Sequence, residues 1–383
     1  MDGPSPAVSE TKMAEQNQVI NPQRLRRLLR QLIDIYSPSG KEEDVLAYLH
    51  SYLQKNGLSA IRQSVDDSRY NLIVIPPDTD ARVALIGHLD TVVAYDLENY
   101  NYQEQDDLVF GLGAADMKSG CAAMIEAYLS LWEAGHQQLP VALVMVVGEE
   151  EEGDGAERLL EEYHFPWAII AEPTDLCPCL SCYGYMEVQL SAKGKRVHAS
   201  LASRDQNPIE TMLGLLLHVS HYMVNDRPEG IYNIRNLLST QAGFAVPDWC
   251  EAWLDVHVPP NAPIGDISLE LEEIVDRAKK ESPQVDTNIR LATIEAGYEL
   301  PERGSVVEAL QATYSRHSLA WEPRPFPSHS DANQLWASGV KPILLGPGQL
   351  EKAHAPEESI SFQQVVDAAE LYRDLILSLP RYV

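Results

Sequence analysis

The stretch Ala84-Leu-Ile-Gly-His-Leu-Asp-Thr-Val92 decides the fold of this chain. It reads as a buried β-strand whose apolar residues run to Ile86 and stop at Gly87. His88 and Asp90 follow at the strand end, where open α/β sheets bind their ligands. A neutral imidazole is a common zinc ligand, and a nearby carboxylate is the usual partner that orients it. The same residues would also suit an ordinary solvated loop, so this stretch alone leaves both interpretations open.

Asp116 lies in a glycine-rich loop, Gly111–Gly120, that leads into a helix predicted from Cys121 to Ala134. Gly135 closes that helix. The position of Asp116 before a helix start allows two interpretations. The carboxylate could cap the helix, which is common, or it could bind a metal ion.

Four glutamates follow the apolar strand predicted at residues 141–147. Like charges at one strand end repel one another, and a bound cation would remove the repulsion. We therefore favour a metal site for Glu149 and Glu150, which lie directly at the strand end. For Glu151 and Glu152 we favour a solvated acidic loop.

Two more strand-like runs end near residues of metal-binding type. Residues 167–171 form a short apolar strand, and Glu172 follows it immediately. Far downstream, residues 342–348 read as a strand and a turn, and His354 lies six residues beyond the last glycine. His354 alone would most often be a surface histidine. Five sites with residues of the types that bind zinc recur at the ends of five apolar runs, so coincidence becomes the poorer explanation.

The ordered motifs of the chain resemble one family of enzymes. The motifs are HLDTV, GLGAADMKSG, GEEEEGDGA, AEPT, KRVHAS, SHSDAN and GPGQLEKAHAPEE. In this order they resemble the co-catalytic zinc deacylases and carboxypeptidases, which include acetylornithine deacetylase, succinyl-diaminopimelate desuccinylase and glutamate carboxypeptidase. The resemblance extends from about Leu32 to the C-terminus, and the ordered set is far more specific than any single motif.

The resemblance implies two Zn²⁺ ions, with Co²⁺ or Mn²⁺ as alternatives. It implies that Glu149 is the general base and that Asp90 orients His88. The implied metal ligands are His88 and Glu172 for one ion, Glu150 and His354 for the other, and Asp116 as the bridge between them. Two such ions lower the pKa of a water molecule and polarise an amide carbonyl. A glutamate beside them can take the proton of the water and transfer it to the leaving amine.

The register of the glutamate run stays open. Glu150 and Glu151 could be the base and the ligand instead. We favour Glu149 and Glu150, because the family places its two glutamates directly after the strand and a Gly-Ala pair, here Gly155-Ala156, five residues beyond the second. Gly148 replaces the aspartate that often precedes the pair.

A further histidine, His198, follows the strand predicted from Met186 to Ala192. In the family, a histidine of this motif sits in a small inserted domain and helps hold the developing oxyanion, often in the site of the partner subunit. The resemblance therefore makes His198 a catalytic hydrogen-bond donor and the protein a homodimer. The residues alone also allow a capped loop histidine with no catalytic role.

Two departures from the family bear on the substrate. Leu254-Asp-Val-His257 and Ser328-His-Ser-Asp-Ala-Asn333 each lack an arginine that relatives show. Arginine is the natural partner of a substrate carboxylate, so a dicarboxylate substrate is disfavoured. Arg204, Arg235 and Arg324 are the candidates for replacing the missing charges.

Composition excludes several classes of function. The chain has 383 residues, and no apolar run approaches the 18 residues of a membrane span. Residues 1–21 lack an apolar core and read as a disordered tail, not as a signal peptide. Five cysteines, an odd number, and no export signal indicate reduced thiols in the cytoplasm. A net charge of −28 argues against nucleic-acid and anionic-membrane partners.

The alternation of strands and helices predicts an α/β fold with two domains. The zinc-peptidase-like catalytic domain would hold a central mixed β-sheet flanked by helices. After Glu172 the pattern changes to β-α-β-β-α-β, which indicates an inserted ferredoxin-like α+β lid or dimerisation domain of about 110 residues. The expected boundaries are a tail at 1–21, the catalytic domain at 22–181 and 296–383, and the lid at 182–295.

Two classes of function fit these observations. The first is a dizinc hydrolase that cleaves the amide bond of a small N-acyl amino acid, with a metallo-carboxypeptidase or dipeptidase as its alternative. The second is a non-catalytic metal-binding relative. The presence of Glu149, the base that a degenerate relative would most easily lose, favours the enzyme.

Overall fold

The computed structural model describes residues 20–77, 79–203, 206–241 and 243–381. Most of the expected tail, residues 1–19, lies outside this part of the chain. Asn21, which we assigned to the tail, is instead the N-cap of the first helix, because its side chain accepts the backbone N–H of Arg24 at 3.1 Å. Ile20 is buried. The first helix, with its N-cap, therefore begins one residue before the expected boundary at residue 22.

Helices and strands are distributed along the whole of the described chain. In chain order they are α1 (Pro22–Asp34), α2 (Glu43–Lys55), β1 (Ile61–Ser64), β2 (Tyr70–Val74), β3 (Val83–His88), β4 (Gln103–Gln105), β5 (Leu108–Phe110), α3 (Lys118–Glu133), β6 (Val141–Val146), α4 (Asp154–Glu162), β7 (Trp167–Ile170), β8 (Ser181–Cys182), β9 (Gly184–Lys193), β10 (Val197–His198), α5 (Pro208–Asn225), β11 (Ile231–Ser239), β12 (Ala245–Val246), β13 (Trp249–Val258), α6 (Ile264–Glu281), β14 (Asp286–Glu295), β15 (Tyr298–Glu299), α7 (Ser305–Arg316), β16 (Pro325–Phe326), α8 (Asp331–Ala337), β17 (Lys341–Leu344), β18 (Ser359–Ser361) and α9 (Phe362–Ser378). They belong to two compact units.

The first unit takes in the residues up to Leu180, Leu300–Arg324 and the residues from Gln334. Its centre is a six-stranded mixed sheet with the strand order β1-β2-β6-β3-β7-β17. The four strands β6, β3, β7 and β17 are parallel, whereas β1 and β2 pair antiparallel. β3, β6 and β7 are buried along their whole length, which explains their unbroken apolar sequences. The expected α/β fold is confirmed.

Helix α3 is buried along nearly all of its length. It contacts α1, α9 and β3, and a helix enclosed on every side needs apolar and small residues all round. Gly120 allows its close approach to the sheet, since a Cβ there would lie 2.5 Å from the carbonyl oxygen of Ala171. No helix in the described ranges is both long enough and apolar enough to cross a membrane.

The second unit consists of Ser181–Glu299 and Pro325–Asn333. It holds a four-stranded antiparallel sheet with the order β11-β13-β9-β14, against which α5 and α6 pack. The chain order β9-α5-β11-β13-α6-β14 is the expected β-α-β-β-α-β arrangement. Burial alternates along β13, so that every second side chain joins the core between the sheet and the helices.

One segment of the second unit differs from the expected domain limits. Pro325–Asn333 belongs to this unit, although we placed everything after residue 295 in the catalytic domain. The reason is long-range pairing: β16 pairs in parallel with β8, and the side-chain amide of Asn333 donates to the carbonyl oxygen of Tyr183 at 2.9 Å. β15 also pairs with β8, which extends the unit to Glu299.

Candidate metal centre

The residues singled out in the sequence meet at the carboxyl ends of the parallel strands. β3 ends at His88 itself, Glu149 and Glu150 follow β6, and Glu172 follows β7. His354 lies in the loop after β17. Because adjacent parallel strands end at the same edge of a sheet, side chains that are distant in sequence come together there.

His88, Asp116 and Glu172 form a first group of possible metal ligands. All three are buried, and one donor atom from each lies within 4.8 Å of the other two. Nε2 of His88 is 3.3 Å from Oδ1 of Asp116. His88 is only 1% exposed, so the solvated loop that the sequence allowed for it is not what the structure has.

Asp116, Glu150 and His354 form a second group with the same limit of 4.8 Å between donor atoms. Nε2 of His354 is 2.8 Å from Oε2 of Glu150 and 3.6 Å from Oδ2 of Asp116. The two oxygens of Asp116 therefore face different histidines. Asp116 does not cap α3, because the N-cap of that helix is Met117 and no side chain caps it.

The charges of the second group depend on each other. Burial raises the pKa of Glu150, and the hydrogen bond from His354 opposes that rise. The hydrogen bond to Glu150 raises the pKa of His354 to about 9, against the effect of burial. Imidazole nitrogens and carboxylate oxygens are the donors that Zn²⁺ takes in proteins. The chemistry of both groups therefore fits a divalent cation.

Asp90 contacts one residue of each group, His88 in the first and Glu150 in the second. It is fully buried, and its Oδ2 accepts the hydroxyl of Ser39 at 2.7 Å and the backbone N–H of Glu150 at 3.0 Å. Its Oδ1 is 3.5 Å from Nδ1 of His88. Burial disfavours the charged form, but the hydrogen bonds outweigh it and lower the pKa of Asp90 to about 2.

The four glutamates from Glu149 to Glu152 differ in their exposure and in their contacts with the two groups. Oε2 of Glu149 lies 3.8 Å from Nε2 of His88, and the Glu149 side chain is 12% exposed. Glu150 belongs to the second group, whereas Glu151 and Glu152 are exposed and belong to neither group within the described chain. The assignment of Glu149 as the base stays a prediction.

The structure also accounts for Gly148, which stands where relatives often have aspartate. Gly148 has φ 76°, and a Cβ there would lie 2.0 Å from Oδ1 of Asp154. Asp154 is held by Arg69, whose Nη1 is 3.2 Å from the same oxygen. The carboxylate of Asp154 therefore fills the space that a side chain at position 148 would need.

His198 lies in the second unit and belongs to neither group of ligands. It is exposed at the end of β10, and its Nδ1 is 2.8 Å from the hydroxyl of Ser200. The backbone N–H of Ser200 also donates to Nδ1, at 3.3 Å. This local cap matches the non-catalytic alternative, and the catalytic role of His198 stays a prediction.

The candidate arginines give no support to a site for a substrate carboxylate. Arg235 contacts Glu187, and its Nη1 lies 3.2 Å from Oδ1 of Asp255, so its charge is already neutralised. Arg324 is exposed. Arg204 lies outside the described residues.

Sequence reasoning missed one residue next to the metal centre. The side chain of Glu358 is buried and accepts the backbone N–H of Asp116 at 3.0 Å. Its neighbour Glu357 is exposed. The only signal was its place four residues after His354, which does not distinguish Glu358 from Glu357.

The fold and the two adjoining groups of ligands define a metal-dependent hydrolase of amide bonds. Residues 84–378 match the family model described as peptidase family M20/M25/M40. Because the match spans most of the chain, the protein belongs to this family. The family resemblance and the expectation of an enzyme are therefore confirmed.

Relatives within this family carry several different names. A probable carboxypeptidase of Neosartorya fischeri is 27% identical, covering 94% of this chain and 87% of that protein. An N-formyl-4-amino-5-aminomethyl-2-methylpyrimidine deformylase of Bacillus subtilis is 24% identical, covering 89% and 90%. The crystal structure of a tripeptidase from Staphylococcus aureus has a TM-score of 0.78 at 20% identity, covering 94% of this chain and all of that one. The similarity to the tripeptidase structure supports the fold.

Proposed function

We propose that this protein uses two divalent metal ions, Zn²⁺ with Co²⁺ or Mn²⁺ as alternatives, to cleave the amide bond of a small N-acyl amino acid. The observation that carries the proposal is the position of Asp116. Its Oδ1 lies near His88 and its Oδ2 near His354, at 3.3 and 3.6 Å, so one carboxylate can serve two ions.

In this proposal each ion has its own histidine and its own glutamate, and the two ions share one aspartate. His88 and Glu172 would hold one ion, Glu150 and His354 would hold the other, and Asp116 would contribute an oxygen to each. When bound, the ions lower the pKa of a water molecule and polarise the substrate carbonyl. Asp90 would keep the imidazole of His88 in place through Nδ1, which lies 3.1 Å from the backbone carbonyl oxygen of Asp90 and 3.5 Å from its Oδ1.

Glu149 is the proposed general base. It is close to the first group, with Oε2 3.8 Å from Nε2 of His88, and its 12% exposure leaves the carboxylate accessible to a substrate. A carboxylate there can take a proton from the attacking water and transfer it to the nitrogen of the leaving amine. One side chain would thus act first as base and then as acid.

We propose His198 as the hydrogen-bond donor to the developing oxyanion. The backbone N–H of Ser200 can only donate, so Nδ1 of His198 must accept. A neutral imidazole with an accepting Nδ1 carries its proton on Nε2. Ser200 therefore favours the tautomer in which Nε2 is a donor, which is the form that an oxyanion requires.

A metallo-carboxypeptidase or dipeptidase is the second candidate. It is favoured by the 27% identity to a probable carboxypeptidase over 94% of this chain. Both candidates break an amide on the nitrogen of an amino acid, and they differ in whether the acyl part is a simple acyl group or an amino-acid residue. The neutralised charge of Arg235 supports a substrate without a second carboxylate.

A substrate panel tests the function. Protein dialysed against Zn²⁺ is assayed for amine release from acetylornithine, succinyl-diaminopimelate, N-formyl amino acids and several dipeptides, with Glu149→Gln as the inactive control. We expect hydrolysis of monocarboxylate N-acyl compounds and little hydrolysis of succinyl-diaminopimelate. Turnover of dipeptides alone would establish the second candidate. Absence of turnover on every compound of the panel would overturn both candidates.

We also propose that the protein is a homodimer that associates through the second unit. β11 is an edge strand, and a row of unpaired backbone groups there can pair with another chain. A two-fold axis would place the same edge of a second copy against it. Large apolar side chains are exposed on β11 and on α5 beside it, namely Ile231, Ile234, Leu237, Leu238, Leu213, Leu217 and Val224.

Sedimentation velocity tests this assembly. The wild type should sediment as a dimer, and Leu217→Glu, on a side chain that is 70% exposed, should shift it towards the monomer. Glu272→Gln, at an exposed position of α6, is the control and should leave the mass unchanged. A monomeric wild type at assay concentration would overturn the proposed dimer.

A further inference from the structure

The carboxylate of Glu358 binds the loop that carries Asp116. Its Oε2 accepts the backbone N–H of Gly113 at 2.8 Å. Its Oε1 accepts the N–H of Ala115 at 2.8 Å and that of Asp116 at 3.0 Å. One side chain thus fixes three of the four consecutive residues from Gly113 to Asp116.

The backbone of Glu358 reinforces the same contact. Its carbonyl oxygen accepts the N–H of Gly111 at 3.2 Å, and its own N–H donates to Ala355 at 3.1 Å. Ala355 directly follows His354, so the contact joins the segment that presents His354 to the loop that presents Asp116. Both residues belong to the second group of ligands.

A carboxylate suits this position better than an amide. The side chain is 4% exposed, and a buried charge is costly unless it is hydrogen-bonded. Three N–H donors meet two oxygens, and hydrogen bonds to a charged acceptor are the stronger ones. In glutamine, an NH₂ group would replace one of the two oxygens. Two donors would then face each other, and at least one of these hydrogen bonds would be lost.

We propose that Glu358 is a positioning residue that holds Asp116 between the two groups of ligands before metal binds. This inference rests on the proposed dinuclear site. The three backbone hydrogen bonds fix the loop from Gly113 to Asp116, so that one oxygen of Asp116 faces His88 and the other faces His354. Glu358 touches neither substrate nor metal in this role.

The test measures metal binding, not only turnover. Zn²⁺ affinity is measured by competition with a chromophoric chelator for the wild type, Glu358→Gln, Glu358→Ala and the control Glu351→Gln, whose side chain is exposed in the same region. We expect Glu358→Gln to weaken binding about 10- to 100-fold, the usual effect of losing a partner of a metal ligand. Glu358→Ala should weaken it more, and Glu351→Gln should match the wild type. The visible absorption of the Co²⁺-loaded variants should change as well, because it reports ligand geometry.

A second measurement needs no substitution. Hydrogen exchange in the full-length, metal-free wild type should show protected amides at Gly113, Ala115 and Asp116. Amides that exchange as fast as an open loop would overturn the inference even if the variants fail to fold. Wild-type affinity in Glu358→Gln would overturn it too. If the wild type itself binds no metal, the proposed function fails, which is a different result from equal binding by wild type and variant.

Discussion

Oδ2 of Asp90 accepts the backbone N–H of Glu150 at 3.0 Å. The other oxygen of the same carboxylate lies 3.5 Å from Nδ1 of His88. Asp90 therefore joins the strand end that carries one ligand group to the strand end that carries the other. A residue expected only to orient one histidine supports both sites.

The first prediction follows from this contact. Asp90→Asn removes the negative charge 3.5 Å from Nδ1 of His88 and weakens the acceptor for the Glu150 N–H, while the backbone oxygen of residue 90 stays near Nδ1. We expect both metal affinity and kcat to fall, each about 10- to 100-fold. Titration with Zn²⁺ should show that both ions are affected. Asp67→Asn, at an exposed position, is the control. If Asp90→Asn weakens only the ion near His88, the contact with Glu150 is unimportant for metal binding.

The second prediction concerns metal content. Protein dialysed against Zn²⁺ should hold close to two ions per chain, since two groups of three ligands share Asp116. His88→Ala and His354→Ala should each lower the content towards one, because each removes a ligand from a different group. Elemental analysis measures this directly. An active wild type with no tightly held metal would end the dinuclear proposal.

The third prediction separates Glu149 from Glu150. Glu149→Gln keeps the shape but not the basicity, so it should retain metal while kcat falls roughly 10²–10⁴-fold. Glu150→Gln should lose metal instead, because Glu150 belongs to the second group of ligands. Metal analysis and steady-state kinetics on both variants give the answer. The reverse pattern would make Glu150 the base and shift the register by one residue.

The fourth prediction concerns His198. His198→Ala should lower kcat and kcat/KM together, because a bond made mainly in the transition state contributes to both. Losing one oxyanion donor costs roughly 10²–10³-fold. In a dimer with shared sites, mixing His198→Ala chains with Glu149→Gln chains should restore some activity. No recovery after confirmed subunit exchange would mean that each chain supplies its own histidine, and a near-normal kcat would remove His198 from the mechanism.

Residues at strand ends could be identified from the sequence because the signal is local. An unbroken apolar run that stops at His88 or Glu172 shows both the parallel strand and its functional end. The partner of Asp116 could not be found in this way. Glu357 and Glu358 are adjacent and chemically identical, and only the tertiary contact with the loop at Gly113 decides which of them is buried.

Contacts between residues far apart in the sequence could not be predicted either, and they determine the limits of the second unit. Pro325–Asn333 has only a two-residue strand and the start of a short helix, and its place in the second unit depends on contacts with residues about 150 positions earlier, such as Tyr183. Gly148 looked like a simple departure from the family. The structural reason for glycine at this position is the carboxylate of Asp154, which Arg69 holds against it. No local sequence pattern indicates these contacts.

The insertion of the second unit within the first has a consequence for biosynthesis. β17, the loop with His354, and Glu358 all follow the insertion, whereas His88, Asp116 and Glu172 precede it. On the ribosome, the central sheet lacks its sixth strand, β17, until the second unit has been translated, and such distant pairing slows folding. The nascent chain thus exposes β7 as a temporary edge, and it can acquire both groups of metal ligands only after the second unit and β17 have been translated.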